Sequence, residues 1–115
     1  MIISLHVAKV WQTDYEQSQM IGCDAQDAFY IILRMFGVNN SADDIYTDDF
    51  EIERSGLQRL KRHIVEQDEI FRQNAERFHA RLKKIGMSRE EFITVLDNLI
   101  DDSDQSDAYV HVSWY

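Results

Sequence analysis

Apolar and polar residues alternate at both ends of the chain, in residues 1–11 and in residues 108–115. An alternation of period two is typical of a strand with one buried face. We therefore predict a strand at each end of the chain, the two lying side by side, with helices covering their apolar face. The residues expected to form that face are Leu5, Val7, Val110 and Val112.

Helical patterns fill much of the interior of the chain. Residues 25–36 form a dense apolar run that Gly37 ends, and residues 88–101 open with a Ser and a Glu at capping-box spacing. Between these segments, apolar residues recur every seven positions, which predicts one long helix from about residue 56 to Lys84. The recurring residues are Leu57, Ile64, Phe71, Phe78 and Ile85.

The length of this helix raises a question about its packing. A continuous helix of roughly 29 residues would span about 43 Å, which is more than the width of a domain of this size. Its apolar seam either packs within a domain, with a bend in the helix, or pairs with the same helix of a second chain. The second interpretation implies a possible homodimer.

The remaining segments are shorter. Residues 13–22 are polar and are predicted to form a loop, and residues 38–49 are rich in the Asn, Ser and Asp that favour turns. Residues 48–53 alternate between apolar and acidic side chains, which predicts a possible third short strand. The expected fold is α+β: a small sheet covered by three to four helices, including the long one, in a single domain of residues 1–115.

Composition narrows the function classes. The net charge of −9 argues against direct nucleic-acid binding, and no apolar run approaches the roughly 18 residues that a membrane span needs. With one cysteine and four glycines, the chain has no cysteine-rich zinc motif and no glycine-rich phosphate loop. We therefore expect a cytoplasmic protein that is not an enzyme and carries no cofactor.

The acidic stretch of residues 101–107 resembles a calcium-binding loop in its aspartate content but not in its spacing. An EF-hand loop needs a glycine at its sixth position, where the chain turns sharply, and an acid at its twelfth. Counted from Asp102, those positions hold Asp107 and Ser113. The spacing therefore predicts a connection between a helix and a strand, with no metal site.

Two other sets of reactive side chains have ordinary interpretations. His6 and His111 are expected on the outer face of neighbouring strands, where a surface pair is the simplest interpretation. Cys23 precedes a predicted helix, whose dipole favours a thiolate. No base or oxyanion donor can be assigned to Cys23 from the spacing, so the sequence predicts no catalytic residue.

Charge is segregated along the chain. Residues 1–53 carry ten acids and two bases, and residues 85–115 carry seven acids and one base. Residues 54–84, the basic segment, carry nine bases and four acids. Acidic residues with aromatic side chains beside them suit a cationic protein partner, because charge steers the encounter and aromatic rings supply contact area.

The sequence therefore predicts a partner-binding surface that joins two acidic segments. Its candidate residues are Asp43, Asp44, Tyr46, Asp48, Asp49, Glu51, Glu53, Asp101, Asp102, Asp104, Asp107 and Tyr109. Phe50 and Trp114 are expected to be accessible nearby.

These properties favour a binding protein that neutralises a basic partner. In charge, in size and in its lack of catalytic motifs, the chain is similar to the bacterial immunity proteins and antitoxins that cover the active site of a nuclease toxin. An alternative is a structural or adaptor protein that forms oligomers through the long helix. A phage-type inhibitor that mimics DNA with spaced carboxylates is a further alternative, although the basic segment argues against mimicry over the whole surface.

Overall fold

A computed structural model describes residues 4–8, 13–21 and 23–114, with the backbone alone for residues 4, 6–8, 13–21 and 23. The elements in chain order are β1 (Ser4–Ala8), β2 (Thr13–Ile21), α1 (Cys23–Met35), β3 (Asp49–Glu53), α2 (Arg54–Glu66), α3 (Glu69–Lys84), α4 (Arg89–Asp102) and β4 (Tyr109–Trp114). The α+β prediction is confirmed. None of the helices in these ranges is long and apolar enough to cross a membrane.

The four strands form one antiparallel sheet in the order β2-β1-β4-β3. The predicted neighbourhood of the terminal strands is confirmed, because β1 pairs with β4 and Leu5 lies opposite Trp114. The possible third strand is also confirmed, as β3.

The loop predicted for residues 13–22 is wrong, because Thr13–Ile21 forms β2 at one edge of the sheet. Its pairing with β1 shifts register twice, near His6. A strand with such irregular pairing and polar composition carries little alternation of apolar residues, which is the signal used for prediction.

The helices cover one face of the sheet and bury its apolar side chains. On that face Leu5, Val110 and Val112 are buried, as predicted, while the side chain of Val7 lies outside the described part of the structure. Phe29 on α1 and Phe92 on α4 pack with their ring centroids 6.4 Å apart within this core. α2 lies against β3, and α3 packs mainly on α1 and α2, so that α3 is the helix furthest from the sheet.

The single long helix predicted for residues 56–84 is wrong, since the chain breaks into α2 and α3. Gln67 adopts a left-handed conformation (φ 50°), and Asp68 caps α3 by accepting a hydrogen bond from the backbone N–H of Phe71 at 3.0 Å. The same carboxylate lies 2.5 Å from Nδ1 of His63. Bonding to these two donors lowers the pKa of Asp68, with His63 as the larger cause.

This break places the apolar seam inside the chain. Four of the five recurring residues are buried and the fifth is half-buried, as expected if two shorter helices fold against the same core. The buried ones are Leu57, Ile64, Phe71 and Phe78. The helix-pairing interpretation needs this seam exposed, and the structure uses it for internal packing.

The predicted helix stops at Gly37 and Gly86 are confirmed, with φ of 65° and 67°. At each site the backbone N–H groups of the glycine and of the residue after it donate hydrogen bonds to the last carbonyl oxygens of the helix. One example is the bond from Val38 N to Leu33 O at 2.9 Å. The capping box at the start of α4 is confirmed as well, with Ser88 and Glu91 bonding reciprocally.

The outer edge of β3 is covered by the segment that follows α1. Glu53 N donates to Asn39 O, and Ser41 N donates to Glu51 O, both at 2.9 Å. This segment is held against α2 at Gly56, where an added Cβ would lie 2.9 Å from Cγ1 of Val38. A buried, β-branched Val38 has little freedom to move away.

We expect Gly56→Ala to destabilise the protein by about 1–3 kcal/mol, because the new methyl group overpacks against Val38. At an ordinary helical position the same change would be stabilising. Urea unfolding followed by circular dichroism measures the difference, with Gln58→Ala on the exposed side of α2 as the control. A Gly56→Ala variant as stable as the wild type would contradict this packing.

Candidate partner-binding surface

The outer face of the sheet is acidic along β3. Phe50 and Ile52 point into the core, so the alternating Asp49, Glu51 and Glu53 point away from the helices. The outward positions of β3 are therefore all acidic.

In the pairing of β3 with β4, a residue of β4 lies opposite each of these three acids. Ser113 lies opposite Asp49 and its hydroxyl donates a hydrogen bond to that carboxylate, while Tyr109 lies opposite Glu53. His111 lies opposite Glu51, whose Oε1 is 3.4 Å from His111 Nδ1. The strand pairing therefore places Asp49 and Glu51 beside side chains of β4 that can donate hydrogen bonds to them.

His111 joins the strand to the acidic loop that precedes it. Its Nε2 lies 3.0 Å from Oδ2 of Asp107, so each ring nitrogen faces a carboxylate. The pKa of Asp107 is lowered, first by the backbone N–H of Tyr109 and then by His111. A cleft of about 250 Å³ beside this cluster is lined by Ser41, Asp49, Phe50, Glu51, His111 and Val112.

The arrangement around His111 suits hydrogen bonding within the chain better than catalysis. A general base needs a nitrogen directed at a substrate, and a metal ligand needs a free lone pair. Both ring nitrogens of His111 already face carboxylates of the chain. No group of three or more side chains able to hold a metal ion occurs among the described residues.

The loop after α4 is organised by Arg54, the first residue of α2. Its guanidinium donates to the carbonyl oxygens of Ile100 at 2.8 Å, Asp104 at 2.6 Å and Asp107 at 3.0 Å. Its backbone N–H donates to Ala108 O at 2.9 Å. One cation thus satisfies carbonyls at the end of α4 and along the loop, and fixes the path of the chain into β4.

The aspartates of this loop are also used locally. Asp104 accepts hydrogen bonds from the N–H of Ser106 at 2.9 Å and from its hydroxyl at 2.7 Å. These bonds lower the pKa of Asp104, with the hydroxyl as the larger cause. Asp107 accepts from Tyr109 N at 2.9 Å in the same manner. The side-chain bonds of Asp104 and Asp107 explain why a polar segment of this composition holds one conformation.

The acidic loop of residues 43–48 lies at the other end of β3. Asp44 accepts from the N–H of Tyr46 at 2.8 Å, and the hydroxyl of Thr47 accepts from Asp43 N at 3.0 Å. Contacts with α1 attach the loop to the helical layer: Gln26 Nε2 donates to Asp48 at 3.4 Å and the Tyr30 hydroxyl donates to the carbonyl oxygen of Asp43 at 3.4 Å.

The two acidic segments are therefore joined through the sheet. They lie at opposite ends of β3 and β4, about 17 Å apart if a five-residue strand is fully extended, with the acids of β3 between them. Nine of the twelve candidate residues are exposed and three are half-buried. We call these twelve the acidic band: Asp43, Asp44, Tyr46, Asp48, Asp49, Glu51, Glu53, Asp101, Asp102, Asp104, Asp107 and Tyr109.

Two aromatic residues expected near this surface are not accessible. Phe50 is 7% exposed and Trp114 is 4% exposed. Both alternate with outward-facing residues and so point into the core, where Trp114 packs edge-on against Phe29 with ring centroids 6.1 Å apart. The exposed aromatic residues of the band are Tyr46, at 76%, and Tyr109, at 44%.

The basic segment neutralises little of the acidic band. Among the described residues, the one ion pair between the basic segment and the band joins Arg59 to Glu53 at 3.4 Å. Lys61 pairs instead with Asp97 on α4, and the remaining bases lie mostly on α3, away from the sheet.

The sequence did not predict the roles of Arg54 and His111. His111 and Glu51 both occupy outward-facing positions of their strands. Once β3 and β4 are placed side by side, this could have indicated that the two residues pair. No local pattern indicates Arg54, because its hydrogen bonds reach 46 to 53 residues along the chain. His6 lies opposite Ser113 in the backbone register, and its side chain and that of Cys23 lie outside the described part of the structure.

We expect Arg54→Met to destabilise the protein by about 1–3 kcal/mol, because three carbonyl oxygens lose a charged donor. Arg59→Met is the matched control, since it removes only an exposed ion pair, which typically contributes less than about 1 kcal/mol. Urea unfolding measures both. Equal losses in the two variants would show that the Arg54 bonds do not organise the loop.

Acidification is expected to destabilise the protein through Asp104 and Asp107. Folding lowers both pKa values below the usual 3.8, so the charged forms stabilise the folded state. This contribution is complete above the unfolded pKa and is lost as the pH falls through the folded pKa. Urea unfolding from neutral pH down to about pH 2 should show a shallower loss for Asp104→Asn than for the wild type.

The control for this experiment is Asp101→Asn, at a carboxylate with no hydrogen bond to another described residue. It should follow the wild-type pH profile near pH 3 to 4 more closely than Asp104→Asn does. If both variants lose stability with the same slope, the bonds of Asp104 to Ser106 do not contribute in solution.

Comparison with protein-family models gives no match, and comparisons with curated proteins and with solved structures give none either. The chemistry of its surface is therefore what indicates a function for this chain.

Proposed function

We propose that the chain is a non-enzymatic, cytoplasmic binding protein that neutralises a basic protein partner through the acidic band. Its partner would be a nuclease toxin, as for immunity proteins and antitoxins. The observation that carries the proposal is the set of exposed and half-buried carboxylates on the outer face of β3, in the loop before it, and at the end of α4 with the loop that follows, with Tyr46 and Tyr109 exposed among them.

The electrostatic properties of the band support this proposal. The pKa values of Glu53, Asp104 and Asp107 are lowered by bonds to neighbouring donors, so these groups are charged at neutral pH. A concentration of like charges produces a field that attracts a cationic surface and accelerates association. A nuclease presents such a cationic surface, because its active site attracts phosphate.

The exposed tyrosines supply contact area that charge alone does not. Binding energy at protein interfaces is concentrated in a few residues, and tyrosine is enriched among them. Tyr46 lies in one flanking loop, and Tyr109 lies where the other loop enters β4. A partner that spans the band would therefore meet an aromatic anchor at each end.

The band is also held in shape before a partner arrives. Arg54 and the side chains of Asp44 and Asp104 tie the two loops to their own backbones. Loops that are already ordered lose less conformational entropy on binding, which favours affinity. By contrast, pairing through the seam of the long helix gains no support, since that seam is internal.

Affinity measurements with an isolated partner test the proposal. A tagged chain is used to capture proteins at low salt, mass spectrometry identifies the partner, and calorimetry measures its affinity for purified variants. We expect Asp49→Asn with Glu51→Gln to weaken the complex about ten-fold or more, and Tyr46→Ala or Tyr109→Ala to weaken it comparably.

The matched control is Glu69→Gln with Glu76→Gln, which removes the same charge from exposed positions on α3. This variant should bind within about two-fold of the wild type, because α3 lies away from the band. Equal weakening in both double variants would show that the affinity depends on the net charge of the chain and not on the acidic band. Failure of the wild type to inhibit the activity of a captured nuclease would overturn the toxin assignment.

A further inference from the structure

A second surface with the opposite chemistry lies between α1 and α3. It is a cleft of about 340 Å³ with an apolar floor and a cationic rim. The floor is formed by Ile31, Met35 and Ala80, and the rim by Arg77, Arg81 and Lys84. The floor residues on α1 are half-buried, so apolar surface remains accessible to water between the cations.

The chain itself supplies little negative charge to this cleft. Arg81 pairs with Asp27 on α1 at 3.2 Å, and Arg77 donates to the neutral side chain of Asn74 at 2.5 Å. Among the described residues, no carboxylate lies within ion-pair distance of Arg77 or Lys84. Two cations on the rim are therefore available for an acidic ligand.

The acidic loop of residues 43–48 has the complementary composition. Tyr46 is the most exposed large hydrophobic residue among those described, at 76%. Asp43, Asp44 and Asp48 surround it in the sequence, and all three are exposed. An aromatic ring among carboxylates matches an apolar floor among cations, both in polarity and in charge.

The two complementary surfaces flank the same helix. The loop contacts α1 at Gln26 and Tyr30, which are four residues apart and share one stripe of the helix. The cleft uses Ile31 and Met35, which form a second stripe, about 140° further round the helix axis. Loop and cleft are thus separated by the exposed ridge of α1.

We propose that two copies of this chain form a reciprocal dimer across α1, in which the acidic loop of each copy occupies the α1/α3 cleft of the other. A two-fold axis that passes through the exposed ridge of α1 lets both contacts form at once, because the loop and the cleft lie on opposite sides of that ridge. This contact between loop and cleft does not involve the apolar seam of α2 and α3, which is buried in the core. It differs from the helix-pairing dimer, which needs the buried residues of α2 and α3.

The dimer is expected to be weak. Each copy carries a net charge of −9, so the two copies repel one another at long range. At physiological ionic strength this repulsion is screened beyond about 8 Å, while the contacts between loop and cleft act at shorter distances. Two short loops bury less surface than the roughly 1,000 Å² of a stable interface, so we expect a dissociation constant on the order of 10–100 µM.

Sedimentation velocity on the purified chain over a concentration series tests the proposal. The wild type is expected to shift from monomer to dimer, and Arg77→Glu with Lys84→Glu is expected to raise the dissociation constant at least about ten-fold. Arg62→Glu with Lys83→Glu is the matched control, because it reverses two exposed charges outside the cleft. Circular dichroism verifies that each variant is folded.

A mixing experiment distinguishes a second copy from any other occupant of the cleft. One variant reverses the cleft (Arg77→Glu, Lys84→Glu), and the other reverses the loop (Asp43→Lys, Asp48→Lys). Each alone should be monomeric, because both of its contacts are repulsive. A mixture of the two should form a heterodimer, since the unchanged loop of the first meets the unchanged cleft of the second and the two reversed surfaces also attract.

The result that supports the proposal is recovery of dimer in the mixture. A wild type that stays monomeric throughout the concentration series overturns it, as does a mixture that remains monomeric. A cleft variant that dimerises as well as the wild type also overturns it. These measurements use the chain alone, so their outcome does not depend on the existence of a basic partner.

Discussion

The hydrogen bonds of Arg54 determine how the two halves of the acidic surface are related. This residue follows β3 directly, and its guanidinium bonds to three carbonyl oxygens of the segment that leads from α4 into β4. The backbone bond from Arg54 to Ala108 extends the pairing of β3 and β4 by one step. A cation at this position also offsets the repulsion of the nearby aspartates and the partial negative charge at the end of α4. Without it, a loop of this acidity would have little reason to lie beside β3.

The parts of the fold that local patterns determine were predictable. Alternation identified the terminal strands and β3, and glycine identified the ends of α1 and α3, because these signals lie within a few residues of the feature they specify. The division between α2 and α3 was harder to predict, since the apolar seam continues across Gln67 with unchanged period. There Asp68 acts as a helix cap and His63 holds it in place, and a periodicity analysis gives such a polar pair no weight.

The candidate surface was predictable in composition and only partly in geometry. Its acids could be named from the sequence, and the structure places them on the outer face of β3, in the loop before it, and at the end of α4 with the loop that leads into β4. The accessible aromatic residues were predicted half correctly: Tyr46 and Tyr109 face solvent, whereas Phe50 and Trp114 have the inward parity of their strands. That parity was available from the sequence, because Phe50 shares it with Ile52 and Trp114 shares it with Val110 and Val112. The sequence did not indicate which residues of β3 and β4 lie opposite one another, because such pairs are some sixty positions apart.

The loop of residues 43–48 belongs to both proposed surfaces, so the dimer and the complex with a basic partner compete for it. At a chain concentration equal to the dimer dissociation constant, this competition costs about 0.4 kcal/mol, a factor of two in apparent partner affinity. This factor is the same for every partner, because it depends only on the chain concentration and on the dimer dissociation constant. Self-association would therefore lower the apparent affinity for strongly and weakly basic proteins alike and leave the ratio between them unchanged. A partner that binds at nanomolar concentrations would still disperse the dimer, because its binding free energy of about 12 kcal/mol far exceeds this cost.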